Sequence, residues 1–236
     1  MQMDKTVARP RNDPVDPTIT ELIIVRHGET EWNADERIQG HIDVELNNVG
    51  REQASLVASR IARELKISAV YSSDLKRASV TAEAIARSSG IAEVFKDPNL
   101  RERHLGNLQG LRLREASELY PVAYKAFLSR KTNQEIPGGG ESVDQLFDRC
   151  TSCVEQIAKK HRGERVVIVS HGGAIRQLYQ RASPSCNFRG KVLNASFNIF
   201  CLSDDDKWTI KTWADITHLT NKTVRLSGFG GDSTSG

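Results

Sequence analysis

The 236-residue sequence has no apolar run that approaches the roughly 20 residues needed for a transmembrane helix. Its first 18 residues carry three aspartates and three prolines but no apolar segment like that of a secretory signal. The same aspartates argue against an organellar transit peptide. We therefore expect no membrane association and a cytoplasmic location, where the glycosylation pattern Asn194-Ala195-Ser196 has no meaning.

The sequence also lacks a strong charge of either sign. A net charge of +3 is too small to predict a nucleic-acid partner, and charge near a site matters more than the total. With 38% hydrophobic and 27% charged residues, the composition is that of an ordinary soluble globular protein. The chain is long enough to bury a sizeable core.

Cysteine is scarce, and the four cysteines do not have the spacing of a disulfide framework. Cys150 and Cys153 form a C-x-x-C pair inside a strongly helical pattern, with no second pair to complete a zinc site. A redox or metal motif is one interpretation. Two reduced cysteines packed along a helix are the favoured one, and they fit a cytosolic protein.

Strand and helix patterns alternate along the chain. Strands are predicted at residues 21–26, 69–71, 92–96, 165–169, 196–202 and 207–213. The intervening segments place apolar residues at helical spacing, except for polar loops such as those at 28–47 and 97–110. This order predicts an α/β fold with a mostly parallel central sheet and helices on both faces.

No repeat or linker divides the chain, so residues 19–225 are predicted to form a single domain. Residues 1–18 are polar and proline-rich, which predicts a disordered N-terminal arm. Residues 226–236 are rich in glycine and serine and are expected to be a flexible tail.

Two predicted strands each lead into a histidine followed by glycine. The strand at 21–26 continues into His27-Gly28, and the strand at 165–169 continues through Ser170 into His171-Gly172. Ligands of open α/β folds bind at the carboxyl ends of the strands. We therefore expect the two histidines to meet at one edge of the sheet.

The same edge is expected to receive Arg26, Arg77 and Glu102. Two histidines and a carboxylate could bind zinc. Two fixed positive charges, however, disfavour a divalent cation and match the oxygens of a phosphate. The N–H groups at the helix start after Gly172 would add donors. The residues therefore favour a phosphate site over a metal site, and no cofactor is expected.

A phosphate held there can react with a neutral imidazole to form a phosphohistidine. Arg26, Arg77 and a protonated His171 would neutralise the phosphoryl oxygens during transfer. Glu102 is the candidate proton donor to the leaving oxygen. That role requires burial or a neighbouring carboxylate to raise its pKa.

Each of these residues also has an ordinary structural interpretation. A single histidine is usually a surface or core residue, and Arg77 could be a solvated arginine in a first helical turn. Glu102 could pair with Arg101 or Arg103 in a surface network. The repeated strand–His–Gly context favours function for the two histidines.

These motifs resemble the histidine phosphatase superfamily, also called the phosphoglycerate-mutase-like family, over residues 20–215. The motifs that carry the resemblance are Arg26-His27-Gly28-Glu29-Thr30 with Trp32-Asn33, residues 71–78, Leu100-Arg101-Glu102 with Gly106, Gly139-Gly140-Glu141-Ser142, and Ser170-His171-Gly172-Gly173.

The resemblance implies a phosphoglycerate mutase-like fold and catalysis without a metal. It implies that His27 is the phosphorylated nucleophile and Glu102 the proton donor. It also implies a phosphate pocket of Arg26, Arg77 and His171, with Asn33 as a further contact.

The family contains both mutases and phosphatases. Mutases resemble one another in three features: a tyrosine where this chain has Leu105, a longer basic insertion than residues 107–141, and a hydroxyl residue in place of Gln39. These departures favour a phosphomonoesterase of small phosphorylated metabolites. A phosphoglycerate mutase-type isomerase of carbohydrate metabolism is the alternative. A non-catalytic phosphate-binding scaffold is a second alternative, although no catalytic residue is lost. The sequence is silent on oligomeric state.

Overall fold

The computed structural model describes residues 14–186, 191–220 and 223. Within these residues six strands form a single sheet of order β3-β2-β4-β1-β5-β6. The strands are β1 (Ile19–Arg26), β2 (Ala69–Ser72), β3 (Val94–Lys96), β4 (Arg165–Ser170), β5 (Phe197–Ser203) and β6 (Trp208–Asp215). β1 to β4 are parallel, and β5 and β6 are antiparallel to their neighbours. The predicted mostly parallel sheet is confirmed.

The same residues contain seven α-helices. They are α1 (Glu31–Ala34), α2 (Asn48–Glu64), α3 (Lys76–Ser89), α4 (Leu113–Leu119), α5 (Pro121–Phe127), α6 (Val143–Lys160) and α7 (Gly172–Ala182). Two 3-10 turns lie at Pro98–Leu100 and Gly106–Leu108. None of the helices in the described ranges combines the length and apolar character that a membrane span requires.

Helices cover both faces of the sheet, as predicted for a single α/β domain. Successive residues of a strand point to opposite faces. Leu22 and Ile24 of β1 therefore pack in the cluster that contains residues of α6 and α7. Ile23 and Val25 pack in the cluster that contains residues of α2 and α3. All four side chains are fully buried, which explains why β1 is continuously apolar.

A smaller third cluster lies away from the sheet. It joins α4 and α5 to the loops on either side of them through Ile38, Leu105, Leu108, Ala116, Ala123, Phe127 and Ile136. Pro121 begins α5 and separates it from α4. This cluster anchors residues 105–108, directly after the segment that carries Glu102.

Local signals fixed several helix ends. The sequence Ser142-Val143-Asp144-Gln145 predicts a capping box, and Ser142 and Gln145 form it at the start of α6. Gly90 ends α3 with a left-handed φ of 70°. The expectation of a continuous loop at 28–47 was wrong, because Thr30 caps the short helix α1. From the sequence we expect this helix to open at Asp74, but α3 begins at Lys76.

The predicted disordered arm and flexible tail fall mostly on residues outside the described ranges. This is true of residues 1–13 of the arm and of the whole tail at 226–236. The end of the arm is described. There the Asp16 carboxylate accepts hydrogen bonds from the N–H and hydroxyl of Thr18 in a turn that leads into β1.

Candidate active site

The two strand–histidine motifs meet as the sequence predicts, because β1 and β4 are neighbours in the sheet. The ring centroids of His27 and His171 lie 5.1 Å apart. The N–H of His27 donates to the carbonyl of Ser170 at 3.0 Å, which joins the two strand ends. Both rings are buried, so the site is shielded from bulk water.

Gly28 lets the chain leave β1 directly against the start of α2. A Cβ on Gly28 would lie 2.3 Å from the carbonyl oxygen of Gly50, and a Cβ on Gly50 would lie 2.0 Å from that of Glu29. Neither position has room for a side chain. The Gly28 N–H donates to the hydroxyl of Thr81 in α3 at 3.1 Å. The loop after His27 is thus packed between two helices.

Arg26 and Arg77 are both buried at this edge, at 3% and 1% exposure. Nη1 of Arg26 donates to the carbonyl of Val192 at 2.6 Å. Nη1 and Nη2 of Arg77 donate to the carbonyls of Ile42 and Gly40 at 2.8 and 2.7 Å. Arg77 therefore holds the loop after α1 against the site.

The Arg77 guanidinium keeps its charge despite its burial. Burial lowers its pKa to about 10, against the opposing effect of the carboxylates of Glu102 and Asp43. A pKa of about 10 leaves the group protonated at neutral pH. The site therefore presents fixed positive charge to a ligand.

The two histidines are neutral in this environment. Burial lowers the pKa of His27 well below its usual value, and the charges of Arg77 and Arg26 lower it further. Burial, Arg77, His27 and Arg26 lower the pKa of His171 in the same way. The protonated His171 of the prediction belongs to the phosphate-bound state and stays a prediction, because both arginines repel a proton there when no anion is bound.

Hydrogen bonding sets the tautomer of His27. Its Nδ1 lies 2.7 Å from the carbonyl oxygen of Gly28. A carbonyl can only accept, so Nδ1 carries the proton and Nε2 carries the free lone pair. Both ring nitrogens of His171 are buried without a hydrogen-bond partner among the described residues. Buried polar atoms that lack a protein partner point to a polar ligand at this position.

Glu102 is buried at 7% exposure beside these groups. Its Oε1 accepts the N–H of Arg103 at 2.9 Å, and its Oε2 accepts the N–H of Gly173 at 3.0 Å. Burial raises its pKa, although these N–H groups and the charges of Arg77 and Arg26 oppose the rise. This is the direction that the predicted proton donor requires.

The alternative placement of Glu102 in a surface ion-pair network is wrong. Arg101 instead forms a bidentate pair with Asp74, at 2.7 and 2.5 Å. The Nε of Arg103 donates to the carbonyl of Glu141 at 2.9 Å. The Gly173 N–H at the start of α7, which was expected to donate to the phosphate, donates to the Glu102 carboxylate instead.

Asn33 lies within the same network. Its Oδ1 accepts hydrogen bonds from the N–H of Thr30 at 3.1 Å and from Nδ2 of Asn194 at 3.3 Å. Nδ2 of Asn194 also donates to the carbonyl of His27 at 3.0 Å. Sequence reasoning attached only a glycosylation pattern to Asn194 and missed this contact. The contact joins positions 167 residues apart, and no local pattern signals it.

Two further residues that sequence reasoning missed hold the main chain of Glu102. Nε2 of His41 donates to the Glu102 carbonyl at 2.6 Å, and Nη2 of Arg149 donates to it at 3.2 Å. Arg149 falls between Leu146 and Cys153, at the 3–4 residue spacing of the inward face of α6. A charged residue on an otherwise apolar helix face is the sequence signal that points to Arg149.

The C-x-x-C pair does not belong to this site. Cys150 and Cys153 are free, buried thiols on α6, which is the favoured sequence interpretation. Burial raises the pKa of each thiol to about 12. Within the described ranges, no group of three or more His, Cys, Asp or Glu side chains is arranged to hold a metal ion.

Comparisons with known proteins place this sequence in a family. The family model described as the histidine phosphatase superfamily, branch 1, matches residues 22–216. The chain is 57% identical to phosphoglycerate mutase-like protein 4 of Arabidopsis thaliana, over 96% of this chain and 98% of that protein. It is 51% identical to a metal-independent phosphoserine phosphatase of the same plant, over 93% and 91%.

A solved structure shares the fold. The crystal structure of a phosphoserine phosphatase variant from Entamoeba histolytica, in complex with phosphoserine, matches with a TM-score of 0.72 at 28% identity. The match covers 85% of this chain and all of that one. The sheet, the paired histidines and these matches lead to one conclusion: this chain belongs to the histidine phosphatase superfamily.

Proposed function

We propose that this histidine phosphatase hydrolyses small phosphorylated metabolites through a phosphohistidine on His27, without a metal ion. The observation that carries the proposal is the convergence of two neutral imidazoles and two buried arginines on one shielded edge. The charges of Arg26 and Arg77 lower the pKa of both histidine rings. Fixed positive charge at that place favours a phosphate dianion and opposes a divalent cation.

In the first step, Nε2 of His27 attacks phosphorus and the bond to the ester oxygen breaks. The leaving oxygen takes a proton from Glu102, whose raised pKa makes the protonated form accessible. Arg26 and Arg77 neutralise the phosphoryl oxygens during the transfer. A bound dianion also favours protonation of His171, which then donates to the phosphate.

In the second step, the Glu102 carboxylate removes a proton from water, and the resulting hydroxide attacks the phosphohistidine. The P–N bond breaks, inorganic phosphate leaves, and His27 and protonated Glu102 are restored. Asn33 and the main-chain N–H of Gly172 are proposed as further phosphate contacts.

Phosphoserine is the substrate to test first. The relative with 51% identity is a metal-independent phosphoserine phosphatase, and the matched Entamoeba structure contains phosphoserine. A cytoplasmic location and the lack of a nucleic-acid partner stay predictions from the sequence. A role in carbohydrate metabolism belongs to the mutase alternative.

The test is phosphate release from phosphoserine and a panel of phosphometabolites, with a chelator present. Release that disappears in His27→Ala supports the proposal. Conversion of 3-phosphoglycerate to its 2-isomer without phosphate release would favour the mutase instead. Failure to turn over any phosphomonoester would contradict the proposal.

A further inference from the structure

The segment that carries Glu102 is held by its main-chain carbonyls. All four carbonyls of residues 99–102 accept a hydrogen bond from a side chain of another element. The hydroxyl of Ser170, at the end of β4, donates to the carbonyl of Leu100 at 2.8 Å. The guanidinium of Arg149 supplies the other three bonds, to Asn99 at 2.8 Å, Arg101 at 3.1 Å and Glu102 at 3.2 Å.

Arg149 is itself oriented by Glu141. Its Nε and Nη2 each donate to a different oxygen of the Glu141 carboxylate at 2.8 Å. With the three carbonyl bonds, all five N–H donors of the guanidinium are used. The two side chains are only 17% and 20% exposed. A lysine has three donors on a point charge and cannot reproduce this fork.

Glu141 also holds the other end of the same segment. Its Oε2 accepts the N–H of His104 at 2.8 Å, and its own N–H donates to the His104 carbonyl at 2.8 Å. Burial works to raise the pKa of Glu141, but the hydrogen bonds from Arg149 and His104 outweigh it and lower the pKa. Glu141 therefore stays ionised as the partner of Arg149 at neutral pH.

His41 completes the set from the loop after α1. Burial is the main cause that lowers its pKa to about 4, and His104 and Arg149 also lower it. The hydrogen bond to the Glu102 carbonyl and the charge of Glu141 act to raise it. Its ring packs edge-on against that of His104, with centroids 4.9 Å apart. His41 is thus a neutral donor, and Arg149 is the charged group bound to the Glu102 carbonyl.

We propose that Arg149, oriented by Glu141, is a positioning residue that sets where the Glu102 carboxyl group lies and so controls proton transfer to the leaving oxygen. The inference rests on the proposed function, in which Glu102 is the proton donor. Among the described contacts, Arg149 bonds only to main-chain carbonyls and to Glu141, so it acts through Glu102. A displacement of a reacting group by about 1 Å can cost about 100-fold in rate.

The test separates proton donation from general damage by the choice of leaving group. An alkyl phosphate such as phosphoserine releases a strongly basic alkoxide that needs the proton, whereas p-nitrophenyl phosphate releases a weakly basic phenolate. We expect Arg149→Met to slow phosphoenzyme formation from the alkyl ester by about 10- to 100-fold. The rate of phosphoenzyme formation from p-nitrophenyl phosphate, measured by rapid quench, should change by less than about threefold, because this leaving group does not need the proton.

Two more variants sharpen the result. In a Glu102→Gln background, Arg149→Met should cause no further loss on the alkyl ester, because the group that it positions is already gone. Arg181→Met is the matched control. It removes an arginine of α7 that donates to Glu155 of α6 at 3.0 Å, without touching residues 99–104. This control should leave the ratio of the two rates unchanged.

Equal losses on both esters, or an unchanged alkyl rate, would overturn the positioning role. If Arg149→Met does not fold, Arg149→Lys and Glu141→Gln are measured in the same way and should give the same leaving-group dependence. A Glu102→Gln variant that keeps the alkyl rate would overturn the proposed proton donor, and with it this inference. A slow Glu102→Gln beside normal Arg149 variants would overturn the inference alone.

Discussion

The carboxylate of Glu102 accepts a hydrogen bond at 3.0 Å from the N–H of Gly173, the second residue after His171. The candidate proton donor and the second histidine are therefore fixed to the same helix start. The N–H groups and the positive end of α7 favour the ionised carboxylate, whereas burial favours the protonated form. Burial is the larger effect, so the pKa is raised, and the N–H groups and the two arginines limit the rise. A group that acts first as an acid and then as a base needs this balance.

Glu102→Gln should slow the hydrolysis of alkyl phosphates by about 10²–10⁴-fold, because the amide cannot donate a proton to the leaving oxygen. Binding of inorganic phosphate should change far less. For the wild type, kcat should fall on the alkaline side as Glu102 loses its proton above its raised pKa. The variant should lack this decline. The measurement is kcat against pH, with the exposed Glu118→Gln as control. The same alkaline decline in both variants would exclude Glu102 as the acid.

His27→Ala should abolish an acid-labile phosphoenzyme, because it removes Nε2 of His27, the free lone pair that the Nδ1 hydrogen bond to the Gly28 carbonyl leaves for attack. The check is to trap protein-bound phosphate from a labelled substrate, at neutral pH and after acid treatment. His161→Ala is a control at the other end of β4, where the ring contacts Tyr71 and Glu164. It should keep the phosphoenzyme. Label that persists in His27→Ala would place the nucleophile elsewhere.

The sequence predicted those parts of the site that follow from local patterns. Strand ends could be read from apolar runs, so the meeting of His27 and His171 was predictable once a parallel sheet was expected. Arg149 and Asn194 were not, because they act on positions about 50 and 167 residues away. The charge state of His171 was also beyond the sequence, since it depends on burial and on the placement of both arginines.

Gln53 joins the loop after His27 to the C-terminal part of the chain. Its Oε1 accepts the N–H of Glu29 at 2.8 Å, and its Nε2 donates to the carbonyl of Thr223 at 2.7 Å. Gln53 and Thr223 are 2% and 1% exposed. Gln53→Leu would remove a hydrogen bond from each of two buried main-chain groups, each at a cost of about 1–3 kcal/mol.

We therefore expect Gln53→Leu to lower the free energy of unfolding by about 2 kcal/mol or more. The measurement is urea denaturation at neutral pH. Glu52→Leu, at the exposed neighbouring position, should stay within about 0.5 kcal/mol of the wild type. Equal losses in the two variants would mean that the bridge contributes nothing specific.

Stability should fall as the pH drops below the usual histidine range. Four histidines have lowered pKa values, with burial the largest cause in each: His27, His41, His171 and His218. The values for His41 and His218 are about 4. The unfolded chain binds their protons near pH 6.5, whereas the folded chain binds them only at lower pH. Their contribution is therefore fully present above about pH 6.5 and is lost as the pH falls towards 4.

Each histidine that stays neutral in the fold steepens this loss by up to about 1.4 kcal/mol per pH unit. Glu102 acts in the opposite direction, because its raised pKa makes ionisation costly to the folded state. Carboxylates with lowered pKa values, such as Glu141 and Asp215, act in the same direction as the histidines at still lower pH. Urea denaturation at pH 7, 6 and 5 measures the slope. His218→Gln, which removes the ring that contacts the Ala195 carbonyl, should give a shallower slope than the wild type. An unfolding free energy that does not change between pH 7 and 5 would show that these rings take up protons in the folded state, contrary to their burial among arginines.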